Sequence, residues 1–259
     1  MATKVARLAP VVDDSPLGDS HEKGERPRYA KLIESLTQRL VAKEWKPGTA
    51  LPSEAALALQ YRVSVGTMRK AIDRLVNEHV LVRYHGKGTF VATHDGDRAL
   101  RHYFRLIGDD GRRDLPQARV VKYEVGSATA AEAERLQIRT GTHVSRFLRV
   151  RGFESTPIIS ERIVLPGSRF PNIRAKPITD LPPLAYAFYS REYGVIVTEA
   201  IEKIRAVAAD ATEARLLNLA AGTPLLEINR IALDISEAPV EWRVSHCDTR
   251  HYYYLNRFS

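Results

Sequence analysis

The sequence predicts an α+β chain in two parts: a basic module of three helices and a hairpin, then a larger antiparallel sheet carrying helices. Three observations predict it. Over residues 26–91, twelve Lys and Arg stand against five Asp and Glu, so +7 of the net +8 of this 259-residue chain lies there. In the same stretch apolar residues recur three times at helical spacing and then at strand spacing. Beyond it, Thr129–Arg149 and Asp210–Arg230 align without a gap, so the second part contains an internal repeat.

Residues 1–25 mix Pro, Gly, Asp and Ser with no apolar period, which predicts a disordered tail. From Tyr29, the residues Leu32, Ile33, Leu36 and Leu40 share one helical face, and Lys46-Pro47-Gly48 ends the run. Ser53 then caps a second helix, with Glu54 in its first turn and Leu57, Ala58 and Tyr61 on its apolar face. After the link Arg62-Val63, Ser64 caps a third helix with the buried stripe Met68, Ala71, Ile72 and Leu75. Two short helices joined by a short turn are the helix-turn-helix signature. Leu81–Tyr84 and Thr89–Val91 read as strands joined by His85-Gly86-Lys87-Gly88, a hairpin that makes a wing. The module is assigned to 26–92, and the polar stretch 93–102 to a linker.

The second part is assigned to 103–259. Each repeat reads as a capped helix, a glycine stop and a strand, followed by a turn and a second strand: Thr156 to Leu165 in one copy, Pro239 to His246 in the other. Flanking strands are expected over Arg119 to Val125 and Val195 to Ala206. Helix-strand-strand used twice makes an antiparallel sheet carrying helices.

Composition excludes several classes. At 44% hydrophobic and 27% charged the chain has ordinary globular usage, with no apolar run of the ~18 residues a membrane span needs. No membrane partner and no secretory signal are expected, so the chain is placed in the cytoplasm. The single cysteine, Cys247, cannot form an intrachain disulfide. No Cys/His group has zinc spacing, and His246 and His251 lack a third ligand. No metal or cofactor is expected, and with neither a nucleophile motif nor a phosphate loop the chain is not read as an enzyme. The basic module has instead the electrostatic footprint expected of a nucleic-acid binder, although charge alone is equally compatible with a well-solvated basic surface.

Taken together, Arg28-Tyr29, Trp45-Lys46-Pro47-Gly48, Leu51-Pro52-Ser53-Glu54, Tyr61-Arg62-Val63-Ser64, Thr67-Met68-Arg69 and Gly86-Lys87-Gly88-Thr89-Phe90-Val91 resemble the GntR family of winged helix-turn-helix repressors. The second part, with Arg149-Val150-Arg151, Glu161, Leu165-Pro166, Tyr193-Gly194, Gly222-Thr223-Pro224 and Pro239-Val240-Glu241, is similar to the effector domain (UTRA) of its HutC subfamily. The resemblance implies a chorismate-lyase-like fold, a homodimer, and a transcriptional repressor whose DNA affinity changes when a metabolite binds. Two positions depart from the family pattern: Val65 stands where a base-contacting Arg is common, and Leu184 where a ligand-contacting Ser is common.

For DNA, Val65, Gly66, Thr67, Arg69 and Lys70 lie at the start of the third helix, where a recognition helix meets base edges and phosphates. With Val65 in place of Arg, contact with a thymine methyl replaces guanine recognition. Ser53 and Ser64 sit at helix starts whose free N–H groups can hold phosphate. His85, Gly86 and Lys87 form the hairpin tip that approaches the duplex. One winged helix reads only a few base pairs, so a dimer on a pseudo-palindromic double-stranded operator is expected. For the effector, Arg149 and Arg151 project from one strand face, with Glu161 and Glu241 nearby. The residues alone leave open a ligand cleft or a ladder of cross-strand ion pairs. The resemblance favours the cleft, holding an anionic small molecule on the arginines and a hydroxyl or amine on the glutamates. Arg230, the repeat partner of Arg149, is read as structural.

Overall fold

The structure is a computed structural model and describes residues 26–93, 104–111, 114–173 and 185–256. The tail expected over 1–25, all but the first residue of the linker expected over 93–102, and Leu184 lie outside the described residues.

The three helices and the hairpin of the basic module form in the predicted order. Helix α1 is Arg26–Val41, α2 is Glu54–Tyr61 and α3 is Val65–Asn77. Ser53 Oγ accepts the Ala56 N–H at 3.2 Å, and Ser64 Oγ accepts the Thr67 N–H at 3.1 Å, so both caps form. Between α2 and α3, Arg62 takes the left-handed conformation (φ 53°), which turns the chain sharply enough for the two helices to pack. Leu36, Leu57, Met68, Ile72 and Leu75 are fully buried in the shared core. Each such side chain contributes about 1.5–3 kcal/mol by leaving water. The wing pairs β1 (Leu81–Tyr84) with β2 (Gly88–Val91), and Gly86 (φ 71°) and Gly88 (φ 111°) supply its turn.

Lys46-Pro47-Gly48 was expected to end the first helix, but α1 stops at Val41. Lys43 turns left-handed (φ 59°), Trp45 is buried, and Gly48–Leu51 runs along β2 instead. Its bonds there are Gly48 N–H to Val91 O at 2.9 Å and Leu51 N–H to Thr89 O at 2.8 Å. The Pro-Gly pair thus steers the chain onto the wing.

The second part is one six-stranded antiparallel sheet, ordered β4-β5-β6-β9-β8-β7. The first repeat supplies β4 (Gln117–Ser127), α4 (Ala130–Leu136), β5 (His143–Phe153) and β6 (Thr156–Pro166). The second supplies β7 (Val197–Ala208), α6 (Ala211–Leu217), β8 (Pro224–Asp234) and β9 (Pro239–Cys247). The strand order reverses at the β6–β9 junction, so the two units are related by an approximate two-fold axis through that pair. Each unit begins with a flanking strand, so the repeat is strand-helix-strand-strand, one strand longer than the aligned segments and their second strands. Thr129 and Asp210 cap the two helices; at α4 a full capping box forms with Glu132.

Two features escape the sequence pattern. A short strand β3 (Leu106–Gly108) pairs with β10 (Tyr252–Tyr254) in a separate two-stranded sheet. A helical segment, α5 (Ala185–Phe188) continued by a π turn over Tyr189–Tyr193, packs on one face of the large sheet.

Candidate DNA interface and buried polar cluster

Caps and packing leave the start of α3 and the wing tip open. Ser53, Ser64, Val65, Gly66, Arg69, Lys70, His85, Gly86 and Lys87 are exposed and Thr67 is half-buried. Val65 keeps 42% of its surface, and nothing but the Ser64 hydroxyl lies near the place a Gly66 side chain would occupy. A phosphate or base edge can therefore approach the backbone at this helix start. The sequence reading missed an acidic hub. Glu54, in the first turn of α2, holds Arg69 Nε at 2.8 Å and Arg83 Nη2 at 2.9 Å, and Asp73 takes Arg83 Nη1 at 2.6 Å. Pairs this far apart in sequence leave no local signal.

The second constellation lies on the face of the large sheet under α5. Arg149 is fully buried on β5, directly opposite Glu161 on β6, and its Nε donates to the Glu161 carboxylate. Arg151, two residues along the same face, sits 3.7 Å from Glu161 and 4.6 Å above the Phe104 ring. Across the β6–β9 junction, Arg243 reaches Glu161 at 3.5 Å and Glu241 at 2.7 Å. Glu241 also accepts the hydroxyls of Tyr189 at 2.6 Å and Tyr186 at 3.2 Å. Arg230 is held by Glu202 on β7 at 2.6 Å, and its Nη1 reaches the Tyr186 hydroxyl at 3.4 Å. The repeat thus sets like residues in unlike company: Arg149 faces Glu161, whereas its counterpart Arg230 faces Arg243.

The structure brings all four expected effector residues into one cluster and adds Arg243, Tyr186 and Tyr189, which sequence reasoning missed. Arg243 was findable, because it stands two residues after Glu241 and so on the same strand face. The tyrosines were not, because their helical segment is too short to show a period. In place of the expected polar cleft stands a small pocket of about 30 Å³ lined by Arg151, Glu161, Arg230, Arg243, Ser245 and Cys247, among others.

Its electrostatics are unbalanced. Four arginines (149, 151, 230, 243) share this face with three glutamates (161, 202, 241). Burial would raise the pKa of Glu161, but Arg149, Arg243 and Arg151 hold it far below the usual carboxylate range. Burial lowers the pKa of Arg151, Glu161 offsets part of that, and Arg149 and Arg243 repel it further. Burial and then Glu241 push the Tyr186 hydroxyl up to about 12, so it stays protonated as a donor. Among the described residues, Arg149 Nη1 and Nη2, Arg151 Nε and Nη2, and Arg243 Nε have no hydrogen-bond partner. Buried polar groups are nearly always satisfied, and each left bare costs about 1–3 kcal/mol, more when charged. No group of His, Cys, Asp and Glu among the described residues has the geometry to hold a metal ion.

Comparison with known proteins fits this division. Residues 28–91 match the model of the bacterial regulatory proteins of the gntR family, and residues 111–253 match the UTRA domain. The chain is 29% identical over 217 residues to the uncharacterized HTH-type transcriptional regulator YurK of Bacillus subtilis, covering 83% of this chain and 88% of that protein. It is 28% identical over 242 residues to the histidine utilization repressor of Pseudomonas aeruginosa, covering 92% and 94%. Among solved structures, the ligand-binding domain of a regulator assigned to the GntR family, from Bordetella bronchiseptica, superposes with a TM-score of 0.55 at 30% identity, covering 61% of this chain and 98% of that one. PhnF from Mycobacterium smegmatis superposes at 0.53 with 23% identity, covering 88% and 99%, a likeness of fold.

Proposed function

The chain belongs to the gntR family of bacterial regulatory proteins, with a UTRA domain behind its DNA-binding module, and on that premise we propose a cytoplasmic homodimer that grips a pseudo-palindromic operator and answers to an anionic metabolite. It is a DNA-binding transcriptional regulator whose UTRA domain binds the effector. The DNA-binding unit is 26–92 and the effector and dimer unit 103–259. Val65, Gly66, Thr67, Arg69 and Lys70 face the major groove. Ser53 and Ser64 lie against phosphates, and His85, Gly86 and Lys87 of the wing approach the backbone or minor groove.

The observation that carries the effector reading is the set of bare guanidinium nitrogens on Arg149, Arg151 and Arg243 inside a cationic excess. A carboxylate or phosphate placed among them gains several charge-assisted hydrogen bonds and relieves the mutual repulsion of the arginines. Glu161 and Glu241 on the same face accept a hydroxyl or an amine of the same molecule. The 30 Å³ pocket holds little more than a water, so binding a metabolite there widens it. The relatives named repressors support release of DNA as the working sense of regulation.

The test is a melting-shift screen of the full chain against carboxylate and phosphate metabolites. A ligand at ~100 times its dissociation constant stabilises by ~2.7 kcal/mol. The best ligand is then added to complexes with the promoter region of the protein's own gene. Anions that neither shift melting nor alter DNA binding would exclude the reading.

A further inference from the structure

We propose that the helical segment Ala185–Tyr193 is the mechanical link between the buried polar cluster and the DNA-binding module. It is fastened to both, and consecutive residues make the two attachments. At one end, Tyr189 and Tyr186 donate to Glu241 at 2.6 and 3.2 Å. At the other, Ser190 Oγ donates to the backbone carbonyl of Ala92, just past the wing, at 3.2 Å. Lys43, at the exit of α1, donates its ammonium to the carbonyl of Tyr193 at 2.8 Å.

Helix geometry explains how one short segment serves two directions. Successive side chains point roughly a quarter turn apart around such a helix axis, and here the Tyr189 hydroxyl reaches Glu241 on the sheet while Ser190 reaches Ala92 past the wing. Both are fully buried, so neither bond is a surface accident. The π turn widens the last coil and ends at Gly194, whose left-handed conformation (φ 63°) redirects the chain into Val195 and Ile196. A side-chain carbon at Gly194 would lie 2.9 Å from Lys43 Cε, so the backbone there sits close against α1's exit. Ile196 is then buried within the DNA-binding module's own hydrophobic core, with Ile235 of the β8–β9 turn packed beside it. The Ile235 N–H bonds the Ile196 carbonyl at 3.2 Å, which ties that turn to the same contact.

The segment's own aromatic side chains interlock, which makes it a stiff lever: Phe188 packs on Tyr189 with ring centres 6.3 Å apart and on Tyr193 at 5.7 Å, and Tyr186 packs on Tyr189 at 5.8 Å. Whatever shifts Glu241 therefore shifts Ser190 and Tyr193. Arg243 gives the cluster a way to do that, since it holds Glu241 while its Nε has no partner. An anion that recruits Arg243 withdraws a cation from Glu241 and leaves the two tyrosine hydroxyls as its principal donors. The link is a property of the fold; its use by an effector rests on the anion reading above.

The experiment is amide hydrogen exchange on the full chain without ligand, comparing wild type with Tyr189→Phe and Ser190→Ala. Tyr189→Phe removes one hydroxyl at the cluster and touches no atom of the DNA-binding module. It should nonetheless raise exchange about threefold over residues 40–48 and 91–93 as well as over 239–247, because exchange reads the local opening equilibrium. Ser190→Ala cuts the opposite end and should raise exchange over 239–247 as well as over 40–48, because coupling between sites is reciprocal. If each variant's effect stays at its own end, the segment is not the link. Should Tyr189→Phe fail to fold, Ser190→Ala decides alone. Adding inorganic phosphate separates the two readings: failure to protect 239–247 counts against the anion site and leaves the ligand-free comparison standing.

Discussion

Arg149 and Arg151 stand two positions apart on one strand face, yet the structure gives them different weights. Arg149 is fully buried and donates its Nε directly to Glu161. Breaking a buried pair from one side costs about 3–5 kcal/mol, so Arg149→Met should lower the melting temperature strongly. Arg151 only approaches Glu161, at 3.7 Å, and is repelled by Arg149 and Arg243. Arg151→Met gives up the guanidinium that lies over Phe104, a contact worth about 0.5–2 kcal/mol. It leaves Glu161 paired with Arg149 and Arg243, so it should cost less stability than Arg149→Met while losing the anion response. Equal losses of stability in the two variants would mean that both arginines are scaffolding. At the DNA surface, Lys87→Ala should weaken binding to every sequence alike and reduce the salt slope by about one. A loss confined to one operator sequence would place Lys87 on a base. These surface positions were legible because a helix start and a hairpin tip have local signals. The ties of Arg69 and Arg83 to Glu54 were not, because the tertiary fold alone brings them together.

At the scale of elements, the repeat was the most legible feature, since caps, glycine stops and strands recur in the same order in Thr129–Arg149 and Asp210–Arg230. The capping box of α4 shows how one residue serves two levels. Glu132 closes the box with Thr129 and also takes Arg146 of β5 at 2.6 and 2.7 Å. Arg146 and then Thr129 hold its pKa below the usual range, against the opposing effect of burial. A carboxylate depressed in the folded state contributes stability that is fully present above its unfolded pKa, ~4.3, and is lost as pH falls through the folded value. Glu132→Gln should therefore cost about 2 kcal/mol at pH 7, with the gap to wild type closing as pH falls below ~4. Urea unfolding at pH 7 and at pH 3 would check it, and a gap that persists at pH 3 would contradict the ionic account. Segment Ala185–Tyr193 and strand β3 were illegible for a common reason. Each is too short for its apolar residues to complete a period, and tertiary packing decides its structure.

For the whole molecule, the two-part charge division coincides with the two family matches, the gntR DNA-binding module over 28–91 and the UTRA effector domain over 111–253. Edge strands β4 and β7 expose Val121, Val125, Ile201 and Ile204, each by 40–48%. Open edges carrying large apolar side chains invite a second copy. Residues 103–259 alone should therefore sediment as a dimer at micromolar concentration, and a monomer there would move the dimer contact to the DNA-binding unit. The central claim is that an anion among Arg149, Arg151 and Arg243 changes the grip on DNA. The most direct measurement is operator affinity at fixed salt for wild type and Arg151→Met, each with and without the anionic metabolite that gives the largest melting shift. The account predicts a change of at least about fivefold in wild type, the lower end of ordinary allosteric coupling, and none in Arg151→Met, whose ligand-free affinity matches wild type. An equal change in both proteins would contradict it.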